Sequence, residues 1–323
     1  MPYVRSTIPA DEVASYTADV PMLVGNNIAS DYLAMPQWRL SGSWASGSNT
    51  TNSSYPTLRA FDGQGLARTQ PTIGASEVEV SLIFDLTAGT DGPHTWDTAL
   101  IWNHNLASLG TNFNVTLSVS DLESFTGGTT LVIAQWNGVG GFTSGRLVAT
   151  SLSDGAGTPN QRYTTVRYVR LRFVTTSGFL AGAPSIGEVW LGRRRQMAYQ
   201  PNVPWAEANL TSDVADFVSK SGGRSRYVRN RGQRIFEPTW SFDGANPAGL
   251  NQETQMRAWF NECEQGSKPF LFFESPAAAS PVAHVCYCDP PSLDMPVLGP
   301  FEREISMRFV EAAPYVQSEA VLS

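Results

Sequence analysis

Lysine is almost absent from this chain. Of 323 residues only Lys220 and Lys268 are lysine, against 20 arginines. Lysine is the usual solubiliser of a free surface, whereas the planar fork of arginine pairs bidentately and stacks on aromatics. The ratio reads either as a surface largely taken up by partners or as the codon bias of a GC-rich genome. Cysteine is scarce too: three residues, too few and odd in number for a disulfide scaffold. No apolar run approaches the ~20 residues of a membrane-spanning helix. The opening MPYVRSTIPADEV has no apolar core after its charge, so no secretory signal is expected. Charge is sparse, 16% of residues, but 41% are hydrophobic and nine are tryptophan, which excludes a disordered chain. Phosphate loops, nucleophile elbows and paired carboxylates in a defensible cleft are all missing. No enzymatic activity, catalytic residue or cofactor is therefore expected.

What is present is unevenly placed. The stretch 162–234 carries a net charge of +9, so the remainder carries −16 to reach −7 overall. Through residue 195 the sequence reads as short strands between Gly/Ser/Thr/Asn-rich turns. Val78, Val80, Leu82, Phe84 and Leu86 alternate with polar or opposite-face residues. So do Phe113, Val115, Leu117 and Val119, and again Val169, Leu171 and Phe173. A period of two marks half-buried antiparallel strands, and many short strands with regular turns predict a β-sandwich jelly roll.

The grammar changes after about residue 195, which places a boundary between 1–195 and 196–323. RSRYVRN (224–230) and QRIFEPTWSFD (233–243) flank an Arg-Gly turn and predict a hairpin. Pro238 favours an edge or bulge. Asn246-Pro247 reads as a helix start. Met256, Trp259, Phe260 and Cys263 recur at helical spacing, and Gly266 supplies the stop. Strands KPFLFFES, HVCYCD and EISMRFVE follow. The second domain is thus expected to be a small β-sandwich or barrel with one packed helix, and the whole chain mainly β.

Two stretches resemble known families. DTALIWNHNLASLGTNFNVTLSVSD, the closing RYVRLRFV…PSIGEVWLGR and the Asp-Gly of AFDGQG resemble the discoidin-like, galactose-binding-like domain of bacteriophage minor tail proteins. RSRYVRNRGQRIFEPTWSFD, the helix, GSKPFLFFESP and the last strand resemble the tube-joining domain of siphophage distal-tail proteins. The resemblance implies a virion protein of the tail tip or baseplate. It would form a ring of six or three copies that joins the tail tube protein to baseplate hub proteins. The jelly roll would face outward, toward other proteins or a host-surface glycan. The alternatives are a carbohydrate-binding module carried on a scaffold domain and, last, a glycan hydrolase.

Candidate site residues follow from chemistry. Trp38 and Trp44 in a Ser/Gly-rich segment and Trp136 before Asn137-Gly138 could stack on sugars, with Arg39 and Asn137 as hydrogen-bond partners. Packing against a neighbouring domain or subunit is the competing reading. Arg193, Arg194, Arg195, Arg224, Arg226, Arg229, Arg231 and Arg234 form an arginine-rich stretch read as an inter-subunit surface. Nucleic acid is not the expected partner, because the chain as a whole is acidic. His284, Cys286, Cys288 and Cys263 raise zinc. Alternate strand residues lie ~6.6–6.8 Å apart, too far for tetrahedral ligation at ~2.3 Å without a bulge, so buried free cysteines are expected. Asp62-Gly63, with Asp31, is a weak calcium candidate. His104 is expected to cap the turn it sits in, and His94 to lie in a loop.

Overall fold

The fold is described from a computed structural model. It describes residues 4–8, 21–25, 27–31, 33–40, 50–62, 67–86, 94–110, 112–125, 130–138, 142, 146–197, 199–202, 207–211, 214–218, 224–228, 233–245, 247–274, 283–289, 293, 295–296, 298 and 301–312. The chain divides into two compact units, one of Met1–Pro9 with Asn27–Arg194, the other of Ala10–Asn26 with Arg195–Ser323. The division differs from the sequence reading in one respect: Ala10–Asn26 leaves the first domain for the second. The reason is pairing. The wholly apolar, buried strand Met22–Val24 lies antiparallel to Phe270–Phe273.

The first unit is a β-sandwich of jelly-roll type. One sheet has five antiparallel strands in the order Leu33–Leu40, Glu79–Leu86, Tyr168–Thr175, Phe113–Ser120, Leu131–Asn137. A second has Glu188–Gly192, Thr98–Trp102 and Arg146–Ala149, and a small third sheet joins Val4–Thr7, Gln161–Thr164 and Thr95–Trp96. Val169, Leu171 and Phe173 of the first sheet share one buried cluster with Ile101, Leu147 and Leu191 of the second. Period-two burial therefore holds in Tyr168–Thr175, where Arg170 and Arg172 take the other face. In Glu79–Leu86 both faces are buried. There Arg172 of the neighbouring strand pairs with Glu79, and Arg167, just before that strand, with Asp85, and long arginine stems shield the sheet beside them.

Among the described residues the second unit has a seven-stranded sheet, two two-stranded sheets and one long helix. The order of the seven-stranded sheet is Arg194–Gln196, Met22–Val24, Phe270–Phe273, Ala283–Cys288, Phe309–Glu311, Gln233–Phe236, Glu207–Thr211. Phe270–Phe273 is apolar at every position because both its faces are buried. The helix Pro247–Glu262 begins at the proline read as its start; Asn246 lies outside the described residues. Trp259 meets Phe270 edge-on at 4.7 Å and Phe309 at 5.9 Å. After the helix Gly266 takes φ 79°. A side chain there would lie 2.9 Å from the Phe260 ring, so both backbone angle and space require glycine.

The expected hairpin is corrected. Arg224–Val228 pairs with Val214–Val218 in a two-stranded sheet of its own. Gln233–Phe236 pairs instead with Glu207–Thr211 and Phe309–Glu311. Two residues later Thr239–Asp243 pairs with Glu302–Ser306. Pro238, which has no N–H to donate, sits at the switch between sheets, its carbonyl taken by the Met307 amide. Among the described residues no helix is long and apolar enough to cross a membrane.

Candidate binding cleft

The loops at one end of the first sandwich are cross-tied by backbone and amide bonds. Thr69 and Ile186 exchange backbone hydrogen bonds, and the Leu180 amide donates to Glu77. The Asn105 side chain donates to the Ala183 carbonyl and accepts from the Ser185 amide. His104 does what its position suggested: its Nδ1 accepts the Leu106 amide at 3.3 Å and caps the short helical turn Leu106–Leu109. Burial holds the pKa of this imidazole down at about 4. His94 lies in a loop, as expected, just before the strand Thr95–Trp96, and is buried there with its Nε2 donating to the Val166 carbonyl.

Between the turn ending at Gly110 and the loop Thr175–Ala181 lies an open cleft of about 190 Å³, lined among others by Asn112, Phe113, Thr175, Ser177 and Phe179. The Thr175 hydroxyl bonds the Ser177 carbonyl and accepts the Ser177 amide, which closes the turn. Gly178 follows with φ 74°. Leu180 is anchored to Glu77, so Phe179, between the two, is left 61% exposed at the rim. An exposed aromatic beside the Asn112 amide and the Ser177 hydroxyl is a platform with convergent polar groups. Among the described residues no lining side chain titrates near neutrality. The described lining can hold a neutral polar ring and includes no general acid or base. Phe179 was not singled out from sequence. Its signal was an aromatic in the Gly-bearing turn SGFLAG, where burial is hard to arrange.

The residues proposed from sequence lie elsewhere. Trp38 is fully buried, tilted against Phe173 at 5.7 Å, with Nε1 donating to the Thr69 hydroxyl at 2.8 Å. It is core of its own sandwich, neither sugar platform nor inter-domain contact. Arg39 is buried and bound to Gln37 and Glu123, so it does not present a free guanidinium to a ligand. Trp136 is half-buried on a strand, its Nε1 donating to the Val148 carbonyl, and exposed Asn137 accepts from Gln135. Trp38 and Trp136 lie on strands at opposite edges of the five-stranded sheet. Trp44 lies outside the described residues.

The arginine stretch is corrected in part. Arg194 is fully buried, donating to the Thr150 carbonyl and Asn160. Arg195 is buried against Glu262 and Gln255. Both are internal supports, not docking surface. Arg193 and Arg234 are half-buried. Arg224 and Arg226 sit in the two-stranded ribbon, opposite Val218 and Asp216 in register. Arg229 and Arg231 lie outside the described residues. Asp62 is exposed, and Gly63 lies outside the described residues. Among the described residues no three His, Cys, Asp or Glu side chains are grouped to hold a metal ion.

A second polar cluster lies in the second unit, around the His284 already noted in the sequence but with two carboxylate partners the sequence did not point to. His284, 1% exposed, has Glu274 Oε1 3.0 Å from Nε2 and Glu311 Oε1 3.2 Å from Nδ1. The Phe236 ring lies 4.9 Å from the imidazole. Burial alone would lower the pKa of His284, but the two carboxylates outweigh it and raise it. The hydrogen bond from His284 holds Glu274 below its ordinary value. Cys286, two strand positions on, is buried, and burial first and the nearby carboxylates second raise its thiol. Burial pushes Cys288 to about 12. Both are free thiols, as is Cys263, poor metal ligands while protonated.

No family model and no curated protein matches the chain. Similar solved structures include chitosan-binding module 1 of a chitosanase/glucanase from Paenibacillus sp. IK-5 (16% identity, 52% of this chain and 98% of that one, TM-score 0.34). Another is the family 32 carbohydrate-binding module of C. perfringens NanJ in complex with galactose (14% identity, 52% and 98%, TM-score 0.34). A third is CpGH89CBM32-5 from Clostridium perfringens in complex with GalNAc-β-1,3-galactose (14% identity, 51% and 98%, TM-score 0.32).

Proposed function

We propose that the chain is a non-catalytic binding and assembly protein whose first unit holds a sugar residue in the cleft beside Phe179. The observation that carries this is the cleft itself: about 190 Å³, open, rimmed by an exposed aromatic, supplied with amide and hydroxyl groups, and, among the described residues, without a titratable side chain. Aromatic stacking plus a few hydrogen bonds suits a neutral sugar ring, with weak affinity for a single residue. The test is a glycan array followed by calorimetry on the full chain. Binding of a neutral hexose or amino sugar that falls at least about tenfold in Phe179→Ala supports the proposal, since tenfold is ~1.4 kcal/mol, the scale of one aromatic contact. Binding that Phe179→Ala leaves unchanged overturns it.

A second reading concerns where such a module works. We propose a tailed-phage tail tip or baseplate, with the second unit as the assembly domain of a homo-oligomeric ring facing tube and hub proteins. The sequence resemblance supports this. So does the ribbon Val214–Val218/Arg224–Val228, which among the described residues makes a sheet of two strands, an arrangement marginal in water without further packing. Exposed Leu298 and Phe301 near Glu302–Ser306 add apolar surface. A closed ring of copies would multiply one modest contact. Native mass measurement and negative stain of the purified chain decide it: rings support the assembly reading, and a monomer absent from virions removes it.

A further inference from the structure

The first unit holds a cation that the cleft does not account for. Arg68 is half-buried next to Thr69, on the stretch tied to Ile186. Its Nε and Nη2 both donate to one acceptor, Oδ1 of Asn103, at 3.2 and 2.5 Å. Asn103 opens the loop that runs on through Leu109 and Gly110 into the cleft wall. Arg39, Arg162, Arg167, Arg172 and Arg195 each have a carboxylate partner. Among the described residues Arg68 has none. Burial pulls its pKa down and no carboxylate opposes this. A neutral amide oxygen fixes the orientation of the guanidinium but does not compensate its charge. Nη1 and the second Nη2 hydrogen are left for another acceptor. His104, the next residue after Asn103, is kept neutral by burial and adds no second positive charge beside Arg68.

A half-desolvated cation without a counter-charge costs stability unless something binds it. The planar fork matches a carboxylate, which takes two parallel N–H bonds, better than a point charge does. We propose that Arg68, oriented by Asn103, is a binding site for the carboxylate of an acidic sugar. This rests on the sugar-binding reading of the same loop end and names the ligand class: a glycan that carries uronate-type residues among neutral ones.

The experiment is calorimetric titration of the full chain with a galacturonic acid trimer and with the neutral galactose trimer of the same linkage. The acidic trimer should bind about tenfold more tightly, the scale of one charge-assisted hydrogen-bond pair. That preference should shrink as salt rises from about 20 mM to about 300 mM. In Arg68→Gln the two trimers should bind alike, with neutral binding kept. In Arg68→Lys, which keeps the charge and loses the fork, the preference should be partly lost. Equal binding of both trimers by the unaltered protein overturns the inference and leaves the sugar reading standing. So does a preference retained in full by either variant. If neither trimer binds at any salt concentration, the sugar reading falls and this inference with it. The salt series needs no variant, so a folding defect in Arg68→Gln does not spoil the test.

Discussion

In the first unit His94 and His104 are buried against backbone groups and held neutral. In the second, His284 is buried as deeply but lies between Glu274 and Glu311 and is held toward its charged form. Depth alone therefore does not set a histidine's charge. A carbonyl or amide partner leaves desolvation to win, whereas two carboxylates outweigh it. The same contrast runs through the arginines. Arg172 and Arg195 have carboxylates, while Arg68, at the loop end, has an amide oxygen in that place.

The strongest way to separate the two units is through their cores. Trp38→Ala should destabilise the first unit by about 3–5 kcal/mol, and Trp259→Ala the second by a similar amount, as for other buried Trp. In urea unfolding followed by near-UV dichroism, each variant should shift a different transition. A single transition moved equally by both would show that the units unfold as one. The pH response comes next. A histidine held at about 4 leaves stability intact above pH 6.5 and loses it as pH falls toward 4. The first unit should therefore lose about 3 kcal/mol over that range from His104 alone. His284, raised above 6.5, contributes fully below 6.5, and its share is lost as pH rises through its folded value. Glu274, held below 4.5, contributes above 4.5 and loses its share as pH falls through its folded value. The second unit should thus be most stable between 4.5 and 6.5. His284→Gln should flatten that maximum, and thermal melts at half-unit pH steps would show it.

Smaller effects follow. Arg194→Ala should cost about 2 kcal/mol by removing the guanidinium that donates to the buried Thr150 carbonyl. Arg257→Ala, whose partner Glu253 lies one helical turn away on an exposed face, should cost under about 0.5 kcal/mol. Chemical unfolding of the pair checks whether burial, not the arginine itself, sets the cost. Last, Phe179→Ala should alter the melting midpoint by no more than about 0.5 kcal/mol equivalent. Loss of sugar binding in that variant would then report on the cleft and not on folding.

Where period two ran unbroken, the sequence could be read directly. Val169, Leu171 and Phe173 are core, and Arg170 and Arg172 face away. Trp38 was misread because its strand, Leu33–Leu40, contains Pro36 and shifts register between Ala34 and Gln37. The irregularity hides the alternation that would have marked it as inward-facing. The triplet Arg193–Arg195 read as a patch because a run of like charges is usually solvated. On a strand, successive side chains point to opposite faces, and buried acceptors are present for Arg194 and Arg195. His284 and Glu311 are 27 residues apart and meet only because their strands are neighbours in one sheet.

Legible from the residues alone are a mainly β chain, half-buried antiparallel strands in its first part, and one long helix that starts at Pro247 and stops before Gly266. These are local matters, set by side-chain period, by proline's missing N–H and by glycine's access to positive φ. Contacts between distant parts of the chain place Met22–Val24 in the second unit, make particular tryptophans core, give particular arginines counter-charges, and leave Phe179 exposed and Arg68 half-buried at one loop end. Those outcomes depend on partners far away in the chain, and burial, pairing and charge compensation are fixed only when strand order brings those partners together.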